Sequence, residues 1–165
     1  MFRNIGCVAL AMLFFVTCAA AGENSAKEAG ADHGGKPWTV DIEKLTLDNP
    51  QFRATNWTGK NMQMTVMSIA PGGEIGLEAH PRGDQFIRVE SGEARVVMGK
   101  TKDALTFDEK VSADWAIFIP EGYWHNIINI GQEPLKTYVI YAPPEHPAGT
   151  VHKTSKEAAE AEHHD

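Results

Sequence analysis

Cysteine is nearly absent. The two in the 165-residue chain, Cys7 and Cys18, both fall in the first 21 residues. If that segment is removed, the remaining chain has no disulfide, no thiolate metal ligand and no cysteine nucleophile. Stability must then come from an apolar core, from oligomerisation or from a bound metal. Basic residues are also scarce: 15 Lys and Arg stand against 22 Asp and Glu, for a formal charge of −7. No cluster or stripe of basic side chains occurs, which argues against nucleic acid and against an anionic membrane surface as partners. The apolar run Val8–Val16 (VALAMLFFV) is too short to cross a bilayer as a helix.

That run is nevertheless informative. Arg3 precedes it and Ala19, Ala20 and Ala21 follow it, the order of an export signal with a small-residue cleavage site. Residues 1–21 are expected to be such a signal and the protein to be exported, to the periplasm. A lipoprotein acylated at Cys18 and a buried N-terminal helix are the alternatives. Residues 22–37 (GENSAKEAGADHGGKP) are small, polar and glycine-rich, and are expected to be a flexible linker with His33 solvated.

From Trp38 onward the pattern is that of short strands separated by turns. Val40, Ile42, Leu45 and Leu47 suggest an extended N-terminal arm ended by Asn49-Pro50. Such an arm, adding to a neighbour's sheet edge, predicts a homodimer. Residues 61–70 (NMQMTVMSIA) are apolar on both faces, as in a strand covered on both sides. Further strands are expected over Phe52–Trp57, Glu74–His80, Gln85–Glu90, Ala94–Met98, Trp115–Ile119, His125–Ile130 and Leu135–Tyr141. No convincing helix precedes Ser155–Glu162. The recurrence of strands at intervals of roughly 8–12 residues predicts an all-β fold, either closed or built from two antiparallel sheets.

Two of these stretches carry chemistry. Gly72–Gly92 places Glu78, His80, Asp84 and Gln85 close together, and Asp114–Asn129 supplies His125. Glu78 and His80 are two apart, so on an extended segment they share a face. Two imidazoles and a carboxylate meeting at one point would hold a divalent transition metal, with Fe, Mn, Ni and Zn all open. By strand parity Gln85 faces inward with Ile87 and Val89, while Asp84 remains the alternative fourth ligand. Asn129 reads as a residue that holds a loop, His146 and His152 as a pocket lid or surface packing, and Arg88 and Arg95 as outward residues in ion pairs. Trp57, Trp115, Tyr123, Trp124 and Met62, Met64 and Met67 read as core or interface.

These residues resemble the paired motifs of the cupin superfamily, G-x5-H-x-H-x(3,4)-E-x6-G and G-x5-P-x-G-x2-H-x3-N. The first aligns with Gly72, Glu78, His80, Gln85 and Gly92, the second with Asp114, Pro120, Gly122, His125 and Asn129. Spacing is met throughout, but Glu78 replaces a His, Gln85 replaces the Glu and Asp114 replaces a Gly. The first two exchanges compensate, because the set still contains one carboxylate. The resemblance, covering about residues 41–157, is to small single-domain cupins. It implies a single jelly-roll cupin β-barrel over residues 38–154, with an N-terminal arm and a C-terminal tail at 155–165. It also implies a mononuclear site formed by Glu78, His80, Gln85 and His125.

Two functional classes follow. One is a small-molecule metalloenzyme, either a dioxygenase or a Lewis-acid isomerase or decarboxylase, with Glu78 as ligand or, alternatively, as general base. The other is a non-catalytic barrel that binds a small ligand or serves as a structural module. The sequence assigns no catalytic residue and no substrate.

Overall fold

The structure is a computed structural model and describes residues 31–162. The expected signal segment with Cys18, most of the expected linker, and His163 and His164 lie outside the described residues. A short helix comes first, α1 (Ile42–Asp48). Nine strands follow: β1 (Arg53–Thr58), β2 (Gln63–Ile69), β3 (Asp84–Ser91), β4 (Glu93–Gly99), β5 (Phe107–Ser112), β6 (Ala116–Ile119), β7 (Trp124–Asn129), β8 (Leu135–Ala142) and β9 (Val151–His152). A second helix, α2 (Ser155–Glu162), ends the described chain.

The strands form two antiparallel sheets. One has six strands in the order β6-β3-β8-β2-β1-β9, the other three in the order β5-β4-β7. Neither sheet closes on itself, so the closed β-barrel expected from the sequence is corrected to two open sheets packed face to face. The expected strand Glu74–His80 explains the difference. It is not a strand: it touches β7 through two isolated bridges, Glu74 to Ile128 and Glu78 to His125. Gly76 lies between them at φ +109°, outside the range of extended backbone, and its N–H donates to Asn126 Oδ1. A continuous ladder cannot run through that bend, so the seam stays open.

The core lies between the sheets. Met67, Ile69, Ile87, Val89, Leu135 and Val139 of the larger sheet meet Ala94, Val96, Val111 and Ile127 of the smaller, all of them buried. Parity along β3 is as the sequence indicated, with Gln85, Ile87 and Val89 buried and Arg88 outward, paired with Glu90 and Asp114. Arg95 pairs with Asp108. Strand β2 is covered on both sides: Met67 and Ile69 face the inner core, while Met64 and Val66 join a second apolar cluster on the outer face.

That outer cluster corrects the expected extended arm. Asp41 caps α1 by accepting from the Lys44 N–H at 3.0 Å, and Asn49 ends it. Leu45 then packs on Ala54, Met64 and Val66, a burial worth about 2 kcal/mol. Val40 and Leu47, read as part of the extended arm, are exposed. Three-residue spacing from Ile42 to Leu45 and an aspartate cap were the helical signals. With residues 42–48 folded as a helix on its own sheet, that arm is not an extended strand that could add to a neighbour's sheet. Strand β6 is less buried than expected, because it is an edge strand whose outer side chains are uncovered. Trp115, just before it, and Phe118 are 53% and 70% exposed.

The described end of the linker is tied down rather than free. Asp32 accepts from Gly34, Thr58 and Gly149, and His33 stacks on Trp38 with ring centroids 4.5 Å apart. Asp114, where the motif has glycine, sits at φ +73°, so the left-handed turn is kept by one of the few side chains that enter that region readily. At the far end, Ala158 of α2 is buried in the main core.

Candidate metal centre

Three local features bring the site together. Glu78 and His80 project from the bent 74–80 segment, and the backbone of Glu78 exchanges hydrogen bonds with that of His125 (3.1 and 2.8 Å). The turn before β7 is pinned to the first segment by the Gly122 N–H, which donates to the His80 carbonyl at 2.8 Å. Gly122 is at φ +75°, which a β-branched residue would resist. Two segments distant in sequence are thereby stapled backbone to backbone, and their side chains converge.

Glu78, His80 and His125 each offer a ligand atom, and these atoms all lie within 4.8 Å of one another. His80 Nε2 is 3.4 Å and His125 Nε2 is 3.5 Å from Glu78 Oε1. All three atoms are buried and lack a hydrogen-bond partner. Ligand atoms at about 2.1 Å from a shared ion, at tetrahedral or octahedral angles, are about 3.0–3.4 Å apart, and the two imidazole–carboxylate separations are close to that spacing.

The remaining nitrogen of each imidazole is already engaged. His125 Nδ1 lies 3.0 Å from the Tyr123 carbonyl oxygen, and His80 Nδ1 lies 3.1 Å from Glu145 Oε1. Both partners are acceptors, so each Nδ1 carries the hydrogen and donates it. Each Nε2 is left to offer its lone pair inward. A carboxylate or carbonyl behind a metal-binding histidine fixes its tautomer and its orientation. The donor set of two imidazoles and one carboxylate fits a divalent transition metal.

The electrostatics describe the same cluster without an ion. Burial opposes charge on His80, but the Glu145 and Glu78 carboxylates outweigh it and raise its pKa from 6.5 to about 9. Burial also opposes charge on Glu78, and contacts with His125 and His80 overcome that and hold it well below the usual carboxylate range.

Gln85 is buried on the inner face of β3, and both of its amide atoms lack a partner. It pairs in register with Tyr141, whose ring packs edge-on against His80 at 5.5 Å. Asp84 is turned away: its Oδ1 accepts from the Glu121 N–H at 3.0 Å and braces the loop before β7. Asn129 holds backbone, donating to the carbonyls of Ile69 and Glu133 and accepting from Gly131.

Two residues at the site were missed in the sequence. Glu145 lies in the Pro-rich stretch 143–147, where His146 drew attention instead. Gln63 fixes this stretch, its Oε1 accepting from the His146 N–H at 3.0 Å and its Nε2 donating to the His146 carbonyl at 2.8 Å. Arg53, at the start of β1, is 1% exposed. In the mixed run RATNWT no local pattern marked Arg53 as buried. Both residues line a cavity of about 360 Å³ beside Glu78 and His80, together with His146 and His152. Burial, with Arg53 nearby, pushes the His146 pKa down to about 4.

Comparisons with known proteins show the family of the chain. The cupin domain family matches residues 65–141. An uncharacterised protein of Bacillus subtilis (strain 168), YrkC, is 53% identical over 131 residues, spanning 79% of this chain and 70% of the relative. An uncharacterised protein of Acanthamoeba polyphaga mimivirus, L612, is 38% identical over 115 residues, 69% of this chain and 70% of that one. The crystal structure of BH2720 from Bacillus halodurans superposes with a TM-score of 0.78 at 53% identity, covering 78% of this chain and 98% of that one. The chain therefore belongs to the cupin superfamily, with a single cupin domain that carries a candidate mononuclear metal site at Glu78, His80 and His125.

Proposed function

We propose that this protein is an exported mononuclear metalloenzyme acting on a small molecule. The observation that carries the reading is the trio of buried, unpartnered ligand atoms with the opposite nitrogen of each imidazole already bonded. Glu78, His80 and His125 would hold the ion, and Gln85 supplies a neutral amide oxygen as a fourth, weaker ligand. A bound divalent cation supplies Lewis acidity toward a carbonyl or acid, or oxygen activation if it is Fe(II). Glu145 keeps His80 oriented and basic, the Tyr123 carbonyl does the same for His125, and the adjoining cavity admits the substrate.

The test is elemental analysis of protein prepared with Mn, Fe, Ni and Zn, alongside Glu78→Gln and His125→Ala. One equivalent of metal in the wild type, lost in both variants, is the expected result. Wild type that keeps no metal overturns the reading. Turnover is then assayed by oxygen consumption and product analysis on small acids, diketones and sugars. Stoichiometric metal without turnover reassigns the protein to ligand binding. Export is tested by the mass of the mature chain, which is expected to begin just after residue 21; a chain retaining that segment in the cytoplasm removes this part of the proposal.

A further inference from the structure

We propose that the segment ahead of α1 is a clasp that completes the metal centre, with Asp32 as a remote positioning residue for Glu145; the inference rests on the metalloenzyme reading only for its effect at His80. Composition predicts a free linker here, yet the chain is fastened to β1 at several points. The His33 N–H donates to the Asn56 carbonyl at 2.8 Å, and Trp57 Nε1 donates to the Lys36 carbonyl at 3.0 Å. Gly34 lies so close to β1 that a Cβ there would stand 2.0 Å from the Thr58 carbonyl oxygen. A linker that only spans distance requires no such fit.

Asp32 joins this clasp to the site. Its carboxylate accepts from the N–H groups of Gly34, Thr58 and Gly149 and from the Thr58 hydroxyl. Burial opposes its charge, but these bonds outweigh it and hold its pKa below the usual carboxylate range. One path onward is direct. Gly149 belongs to the turn 147–150, and Pro147 and Thr150 of that turn line the cavity beside Glu78 and His80.

The other path runs through side chains. Gln63 Oε1 accepts from the N–H groups of Glu145 and His146, which fixes the orientation of its amide. Its Nε2 then donates to the His146 carbonyl at 2.8 Å and to Thr58 Oγ1 at 2.9 Å. The Thr58 hydroxyl, accepting from Gln63, sends its own hydrogen to Asp32. A carboxylate can only accept, so Asp32 sets the hydroxyl, the hydroxyl sets the amide, and the amide holds the backbone that carries Glu145. The run ends at the site itself, where Glu145 Oε1 lies 3.1 Å from His80 Nδ1. Displacing the carboxylate behind a metal-binding histidine loosens the ring that must present its other nitrogen.

Hydrogen exchange on the metal-stripped full mature chain, read by mass spectrometry, and calorimetric titration of the same samples with Mn(II) test this. Asp32→Asn keeps Oδ1 and removes the acceptor that serves Gly149 and the Thr58 hydroxyl. Gly34→Ala lifts the clasp and removes no polar group. Each is expected to speed exchange at residues 145–150 by about fivefold, the factor for one lost hydrogen bond, and to weaken Mn(II) by about tenfold. Thr58→Ser keeps the hydroxyl and should retain wild-type values, whereas Thr58→Val should match Asp32→Asn. Slow exchange in β4 and β7 shows that each variant is folded. Faster exchange confined to residues 31–38 overturns the proposal, as does wild-type Mn(II) affinity in both Asp32→Asn and Gly34→Ala. A wild type that takes up no Mn(II) brings down the metal reading alone, because exchange at 145–150 is read in stripped protein and still decides whether Asp32 positions Glu145.

Discussion

Binding of a divalent metal at pH 7.5 is expected to expel close to one proton, and that proton comes from His80. In the metal-free protein His80 is held between two carboxylates, with Nδ1 3.1 Å from Glu145 and Nε2 3.4 Å from Glu78. Burial works against its charge, but the carboxylates win and raise its pKa from 6.5 to about 9. A shift of that size corresponds to about 3 kcal/mol of stability in the metal-free fold. The low pKa of Glu78 is the other side of the same contact and is not counted again. Because the folded pKa is the higher one, this stabilisation is complete below pH 6.5 and is lost as pH rises through 9.

Metal binding has the opposite sign. The ion needs the Nε2 lone pair that the proton occupies, so apparent affinity should climb by about tenfold per pH unit between pH 7 and 9 and then level. Titration calorimetry in two buffers of different ionisation enthalpy counts the proton directly. Glu145→Gln removes the larger raising influence on His80 and should release well under one proton at the same pH. Zero proton release by the wild type, or equal release by wild type and Glu145→Gln, would refute the assignment of His80 as a ligand braced by Glu145.

Further outcomes are accessible with standard methods. Gln63→Leu breaks the bonds that hold Glu145 and His146 in place and leaves their partly buried N–H groups without this acceptor, a cost of about 1 kcal/mol seen as a lower thermal midpoint; its metal affinity should also fall, and unchanged affinity would show that Glu145 does not need this brace. Ile127→Ala, at a fully buried position between the sheets, should cost about 2–5 kcal/mol in denaturant unfolding while metal stoichiometry stays the same, and a loss under 1 kcal/mol would place the core elsewhere. The homodimer expected from the sequence has the exposed Phe118 on edge strand β6 as a contact, so Phe118→Ser is expected to shift size-exclusion elution from dimer to monomer; a monomeric wild type removes the dimer altogether.

Much of this protein follows from local pattern alone. Alternation along β3 and β8 specifies which side chains are buried, because a strand's period of two leaves no other way to cover one face. The two-residue spacing of Glu78 and His80, and the turn before His125, mark three candidate ligands at comparable points without any knowledge of the fold. Ser155–Glu162 is legible as a helix. By contrast, α1 was misread because the pairs Val40/Ile42 and Leu45/Leu47 each mimic an alternating strand, and only the apolar outer face of β2 shows which face of Ile42–Asp48 must be covered. Closure of the barrel was likewise not a local matter: the bend at Gly76 interrupts a ladder whose existence depends on a partner more than fifty residues away. Arg53 and Glu145, from opposite ends of the domain, become one cavity wall only through the pairing of β1 with β9 and the hold of Gln63 on residues 145 and 146. Periodicity and turn chemistry act over a few residues and so can be read in order along the chain. A charge's purpose depends on what burial places opposite it, and that is decided only when distant segments pack.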